Sequence, residues 1–197
     1  MVRTVGLRGA DPRTQRACGV TAMETTVTDR AALDPMQLRA AFGQFPTGVT
    51  VITTCAADGR KVGLTANSFS SLSLDPPLVL WSLRKVAPSR PDFVAATHFA
   101  INILAHDQID LSRRFATPSA DKFDGVPHVA SESGGVPCLA GASARFVCRN
   151  VGHYAGGDHL LFIGEIERFD AFGKAPLVFH AGQYRAITDH PDLLRSF

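Results

Sequence analysis

The stretch TGVTVITTCAADGRKVGLTANSFSSLSLDPPLVLWSL, residues 47–83, decides the fold class. Its first part, TGVTVITTCAA (47–57), alternates with period two and is rich in β-branched residues, which fit the pleated surface of a strand. Asp58-Gly59 follows, a pair that tolerates the positive φ of a tight hairpin turn. KVGLTANSFSSLSL (61–74) is then the returning strand with its loop, and PLVLWSL (77–83) the next strand. Upstream, Asp34-Pro35 reads as an N-cap with a first-turn proline, and Met36, Leu38, Ala41, Phe42 and Phe45 recur at helical spacing until Pro46 and Gly48 end the helix. Downstream, the segments 98–104, 143–154, 159–170 and 176–180 read as strands. Short helices are expected at 89–96 and 106–116, the second turning Ile109, Leu111 and Phe115 inward. So many short strands in one chain predict a mainly β, mostly antiparallel barrel or sandwich with a few short α-helices.

The chain has 197 residues, 45% hydrophobic and 19% charged, enough to bury one core. One domain is expected over residues 34–190. Residues 1–30 lack a sustained apolar period and are expected to form a disordered tail, with Met23 an alternative start to Met1. The net charge of +2 is small and dispersed, which gives no electrostatic reason to expect a nucleic-acid or membrane partner. No apolar run approaches the roughly twenty residues of a membrane span, and no signal-peptide core precedes the domain. The four cysteines, Cys18, Cys55, Cys138 and Cys148, form no C-x-x-C pair and read as reduced thiols of a cytoplasmic protein.

Several chemistries lack their motifs: no G-x-G-x-x-G after a strand, no phosphate loop, no G-x-S-x-G elbow and no H-E-x-x-H helix. The seven histidines include no i, i+4 pair, so no metal site is expected. The informative feature is the loop after the hairpin. Thr65, Asn67, Ser68, Ser70 and Ser71 supply short hydrogen-bonding groups, and Ala66 is small enough to admit a ligand to the backbone. Such a loop suits a phosphate and a planar heteroaromatic ring; it also suits a polar barrel rim that binds only water.

TGVTVITT, GLTANSFSSLSLDPPLVLWSL, FAINILAHDQIDLSRRFA (99–116), DKFDG (121–125), GGDHLLFIGEIE (156–167) and PLVFHAGQY (176–184) follow one another in the order found in the short-chain NAD(P)H:flavin reductases. The chain resembles that family, the reductase components of two-component flavin-dependent monooxygenases, from about residue 36 to 186. The resemblance implies a split, Greek-key, FMN-binding antiparallel β-barrel, a homodimer, FMN or FAD as the flavin, and NADH or NADPH as the donor. It also implies a separate monooxygenase that receives the reduced flavin. Carried over by motif, Pro46, Thr47, Gly48 and Val49 with Thr65, Ala66, Asn67 and Ser68 line the flavin ring and ribityl chain. Ser82, Arg84, Ser89, Ala105 and Gln108 meet the phosphate region, although Arg84 is bulkier than the short polar residue expected there. Lys122 and Phe123 close over the flavin tail, and Tyr184 bounds the pocket or belongs to the core.

In GGDH, Gly157 allows close backbone approach, and Asp158 reads as a turn residue rather than an acid catalyst. His159 is either a structural histidine at a strand start or the catalytic group, bonding a nicotinamide carboxamide or supplying a proton. Two rivals to a diffusible-flavin reductase stay open at this point. One is an oxidoreductase that retains FMN and passes electrons to another acceptor; the other is a flavin-binding barrel without turnover.

Overall fold

The computed structural model describes residues 33–119 and 121–190. The expected tail, residues 1–30, lies outside them, as does Cys18. From Pro35 onward the chain forms one compact unit. Its elements run α1 (Pro35–Phe42), β1 (Thr47–Gly48), β2 (Thr50–Cys55), β3 (Lys61–Ala66), β4 (Ser70–Leu74), β5 (Pro77–Arg84), α2 (Arg90–Ala95), β6 (His98–Ile103) and α3 (Ile109–Ala116). They continue through β7 (His128–Ala130), β8 (Pro137–Leu139), β9 (Ala144–Gly156), β10 (His159–Ala171), β11 (Val178–His180) and β12 (Gln183–Arg185).

Seven strands pair antiparallel in the order β3-β2-β6-β9-β10-β5-β4. The two edge strands, β3 and β4, are consecutive in the chain and joined only by residues 67–69, so the sheet must roll until its edges approach. That makes the fold a split antiparallel β-barrel with Greek-key crossovers and, among the described residues, three short helices. The Asp58-Gly59 turn forms as expected, with Gly59 at φ +82 and Thr50↔Ala66 through Cys55↔Lys61 in register. β1, β11 and β12 make a separate small sheet, and β7 and β8 a hairpin.

The strand β2 shows why the fold follows from its residues. Side chains alternate across a strand, so Ile52 enters the barrel interior while Val51 faces a second core with Phe115, Phe123 and Leu177. Both faces are therefore buried, and the threonines between them satisfy their hydroxyls on backbone carbonyls: Thr50 donates to Ala66 (2.7 Å) and Thr54 to His98 (2.8 Å). Inside the barrel, the fully buried Trp81 of β5 stacks on Phe162 of β10 at 4.6 Å and meets Phe93 and Phe99 edge-on. The buried Asn102 donates to the Val51 carbonyl (3.0 Å) and accepts from the Leu139 amide (2.9 Å), tying β8 to β2 and β6.

Helix α1 begins at Pro35 as expected, yet no residue on it is buried, and Met36, Phe42 and Phe45 are strongly exposed. Helix α3 starts three residues later than the segment expected from sequence, because Gln108 turns back: its Oε1 accepts the Ala105 amide (3.0 Å). Phe115 of α3 is buried as expected, and Ile109 and Leu111 pack at the edge of the second core. No helix among the described residues is long and apolar enough to cross a membrane.

Candidate functional site

Strand β5 pairs with β4 only up to Leu80↔Ser70 and then runs on to Arg84 without β3 as a neighbour. The gap is a cleft of about 660 Å³. One wall is β3 with its flanks, Arg60 to Ser68; the other is the end of β5 and the start of α2, Ser82 to Asp92. The walls are pinned together at both ends. At one end the Ser68 hydroxyl donates to the Ser82 carbonyl (3.1 Å) and accepts the Ser82 amide (3.0 Å). At the other, Arg60 Nη2 reaches Asp92 Oδ1 at 3.0 Å. The end of α3 and the following segment cover β3, an approach that only glycine at position 63 permits, since a Cβ there would sit 2.5 Å from the Phe115 ring.

This cleft brings together Thr65, Ala66, Asn67, Ser68, Ser82, Arg84, Ser89, Lys122 and His159 from distant parts of the chain. The Ser89 hydroxyl precedes α2 without capping it, so it is not committed to the helix. Lys122 donates to the carbonyls of Phe115 (2.7 Å) and Gly63 (3.3 Å), and burial lowers the pKa of its ammonium. His159 sits at the rim because β10 opens opposite the end of β5, in register with Arg84. The turn before it uses Gly157 at φ +59, and Lys85 grips that turn through its Nζ on Gly157 O (2.6 Å) and its amide on Asp158 O (2.9 Å). Asp158 is a turn residue as expected, and its carboxylate also meets His159 Nδ1 at 2.7 Å. That hydrogen bond, reinforced by the imidazole's charge, holds the Asp158 carboxyl below the usual range. With Nδ1 held by Asp158, the other ring nitrogen is left for a ligand.

The remaining sequence-predicted residues lie elsewhere. Val49 is buried, exchanging backbone bonds with Leu177 and Leu104. Thr47 and Gly48 form β1 against β11, following Pro46, and the Thr47 hydroxyl is buried without a hydrogen-bond partner in this chain. Ala105 is fully buried, while Gln108 spends its amide group on Ala140 O (2.9 Å); neither lines the cleft. Phe123 is a core residue set edge-on to Phe115 at 5.0 Å. Tyr184 bonds Ser112 Oγ at 2.9 Å, and the carbonyl of Ser112 accepts the Thr65 hydroxyl at 2.6 Å, so Tyr184 steadies α3 behind the cleft. Sequence reasoning passed over Arg60, Lys85 and Asp92, which lie outside the recognisable motifs and reach the site only through strand pairing and a long-range ion pair.

The hydroxyls, cations and small residues of the cleft fit a ligand that combines a polar planar ring with phosphate. Burial raises the thiols of Cys55, Cys138 and Cys148, the last to about 12, which disfavours these three as nucleophiles. Among the described residues no three His, Cys, Asp or Glu side chains gather as a metal site.

Together these features define a split β-barrel with a polar, cation-lined cleft at the split as its candidate ligand site. The chain belongs to the flavin reductase like domain family, whose model matches residues 42–188. It is similar to the reductase component of the flavin-dependent trigonelline monooxygenase of Acinetobacter baylyi, 47% identical over 148 residues, 75% of this chain and 47% of that protein. It is also similar to an FMN reductase (NADH) of Agrobacterium fabrum, 44% identical over 146 residues, 74% of this chain and 82% of that one. Among solved structures, the NADH:FAD oxidoreductase of Streptomyces globisporus in complex with NAD and FAD fragments superposes with a TM-score of 0.76 at 41% identity, covering 81% of this chain and 94% of that one. The chain spans about half the length of the trigonelline enzyme's reductase component.

Proposed function

We propose that this chain uses NADH to reduce free flavin, FMN or FAD, and releases the product to a separate flavin-dependent monooxygenase. The observation that carries the reading is the assembly, in one cleft, of the Thr65–Ser68 loop, Ser82, Arg84, Ser89, Lys122 and the rim histidine. Family membership supports the same reading, as do relatives named as NADH-dependent reductases of FMN and of FAD.

The flavin and nicotinamide supply the chemistry, a hydride passing from nicotinamide C4 to flavin N5, so the protein's task is to align the rings and manage charge. Ser82, Ser89 and Arg84 offer donors to a phosphate, and the Lys122 ammonium, held against β3 by the Gly63 carbonyl, adds positive charge to the cleft. Ala66 leaves room for a ring beside the backbone. The GGDH turn, gripped by Lys85, presents His159 at the rim, with Asp158 fixing the imidazole's orientation so that it bonds a carboxamide or delivers a proton. The exposed apolar face of α1 supports the homodimer: a second copy of the chain, with a flavin near the interface, would cover it. Three free thiols, Cys55, Cys138 and Cys148, support a reducing cytoplasmic setting.

Nicotinamide oxidation by the purified protein, with and without added FMN or FAD, tests the proposal. Oxidation that requires added flavin and yields reduced flavin in an ultrafiltrate is the expected result. A yellow protein that turns over without added flavin would indicate retained FMN. Flavin binding with no oxidation of NADH or NADPH would overturn the enzymatic reading.

A further inference from the structure

A second concavity lies apart from the cleft, where the β7–β8 hairpin faces the segment after β10. It encloses about 650 Å³, the size of a small-molecule site, and shares no lining residue with the cleft. Its floor is apolar, formed by the buried Cys138, Leu139 and Ala142, and the half-exposed Phe172 stands at its side with the Arg145 guanidinium 5.5 Å from its ring centroid. The segment that carries Phe172 and Lys174 is fastened to the barrel. Ser143 accepts the Phe172 amide on its carbonyl (2.9 Å) and donates its hydroxyl to the Lys174 carbonyl (2.6 Å), and the His106 amide donates to the Ala175 carbonyl (2.9 Å).

The charges around this pocket leave one cation over. Arg145 pairs with Asp170 at 2.6 Å, Arg168 stands 3.8 Å from the other oxygen of Asp170, and Arg168 also meets Glu132 at 3.6 Å, so two guanidinium groups balance two carboxylates. Lys174 is not part of this set. Among the described residues its ammonium has no carboxylate within ion-pair distance, and none of the described lining residues is acidic. The Lys174 Nζ lies over the Gly141 turn, 3.7 Å from where a Cβ on Gly141 would stand. On that turn the amides of Gly141 and Ala142 find no acceptor among the described residues. His128 completes the wall, its Nδ1 held at 2.6 Å by the Val126 carbonyl.

The floor and Phe172 favour a ligand with an apolar body, which leaves water on contact with them. The unpaired ammonium, with two backbone donors on the turn beside it, favours a single negative charge. A hydrated inorganic anion would gain nothing from the floor, and a neutral apolar molecule would gain nothing from Lys174. We infer that this pocket is a second ligand site, separate from the flavin cleft, and that it takes a small organic monocarboxylate. The carboxylate lies at Lys174 and the Gly141 turn, and the apolar body lies over Leu139 and against Phe172. Because Ser143 and His106 already fix the backbone around Lys174, the ordering cost of binding falls on the ligand and the lysine side chain.

Titration of benzoate into the full chain, followed by the amide NMR shifts of the protein, tests this. It needs neither flavin nor nicotinamide, so its outcome is separate from that of the reductase reading. Benzoate is expected to bind with a dissociation constant on the order of 1 mM, the scale for so small a ligand, and to shift the amides of residues 128–129, 138–142 and 172–174. Benzamide, its neutral counterpart, should bind about fivefold more weakly, the effect of one exposed charge pair. Lys174→Gln should weaken benzoate by the same factor of about five and leave benzamide within about twofold, with an unchanged melting temperature. Phe172→Ala should weaken both ligands. An absence of shifts at these positions, shifts confined to residues 82–89 of the cleft, equal affinity for benzoate and benzamide, or equal benzoate affinity in wild type and Lys174→Gln would overturn the inference.

Discussion

Strand β5 has two flanks that behave differently. On one, it is zipped to β10 in continuous register from Leu78↔Glu165 to Arg84↔His159. On the other, pairing with β4 stops at Leu80↔Ser70, and the last residues of the strand face the cleft. The closed flank holds the aromatic cluster around Trp81; the open one holds hydroxyls and cations. A barrel that closed on both flanks would be a packed core with no place for a ligand. The split therefore gives up strand pairing over a few residues, and the protein restores cohesion there with side chains, Ser68 on Ser82 and Arg60 on Asp92.

Breaking the closed flank should have the largest effect. Trp81→Ala removes the ring stacked on Phe162 from a fully buried site and is expected to cost about 3–5 kcal/mol in urea denaturation, the range for large aromatics in cores. Loosening the open flank should cost less. Ser68→Ala deletes both bonds to Ser82 at a partly exposed position, so a loss of about 1 kcal/mol is expected, with a severalfold rise in the flavin dissociation constant. A large stability loss with unchanged flavin binding would mean that Ser68 is part of the core and not of the split.

The smallest effect is expected at the exposed Asp158. Its carboxyl is held low by His159, so the pair's contribution is present above the unfolded carboxylate pKa and lost as pH falls through the lowered folded value. Melting temperatures of wild type and Asp158→Asn should therefore differ slightly at neutral pH and converge in acid.

The closed flank was the more legible of the two in the sequence. PLVLWSL and HLLFIGEIERFD carry long apolar runs, and their strands form at nearly the expected bounds. Strand β4 reads as a loop in the sequence because it lies at the sheet edge, mostly exposed, and so bears no burial pattern. The short strands β7, β8 and β12 have too few residues to show a period. At the site, the hydroxyl-rich loop and the GGDH turn could be read locally. The partnership of Arg60 with Asp92, 32 residues apart, could not, because it depends on where α2 lands beside the hairpin. The bond from the Ala105 amide to Gln108 Oε1, which shapes the turn before α3, is likewise invisible in the motif that carries these two residues.

In the proposed function, flavin and nicotinamide meet at the His159 end of the split. Flavin binding and NADH oxidation measured on one preparation of His159→Ala test it most directly. Flavin affinity is expected within about twofold of wild type and turnover reduced on the order of a hundredfold, the lower end for loss of a positioned proton-transfer group. Undiminished turnover would contradict it and move the reaction away from this rim.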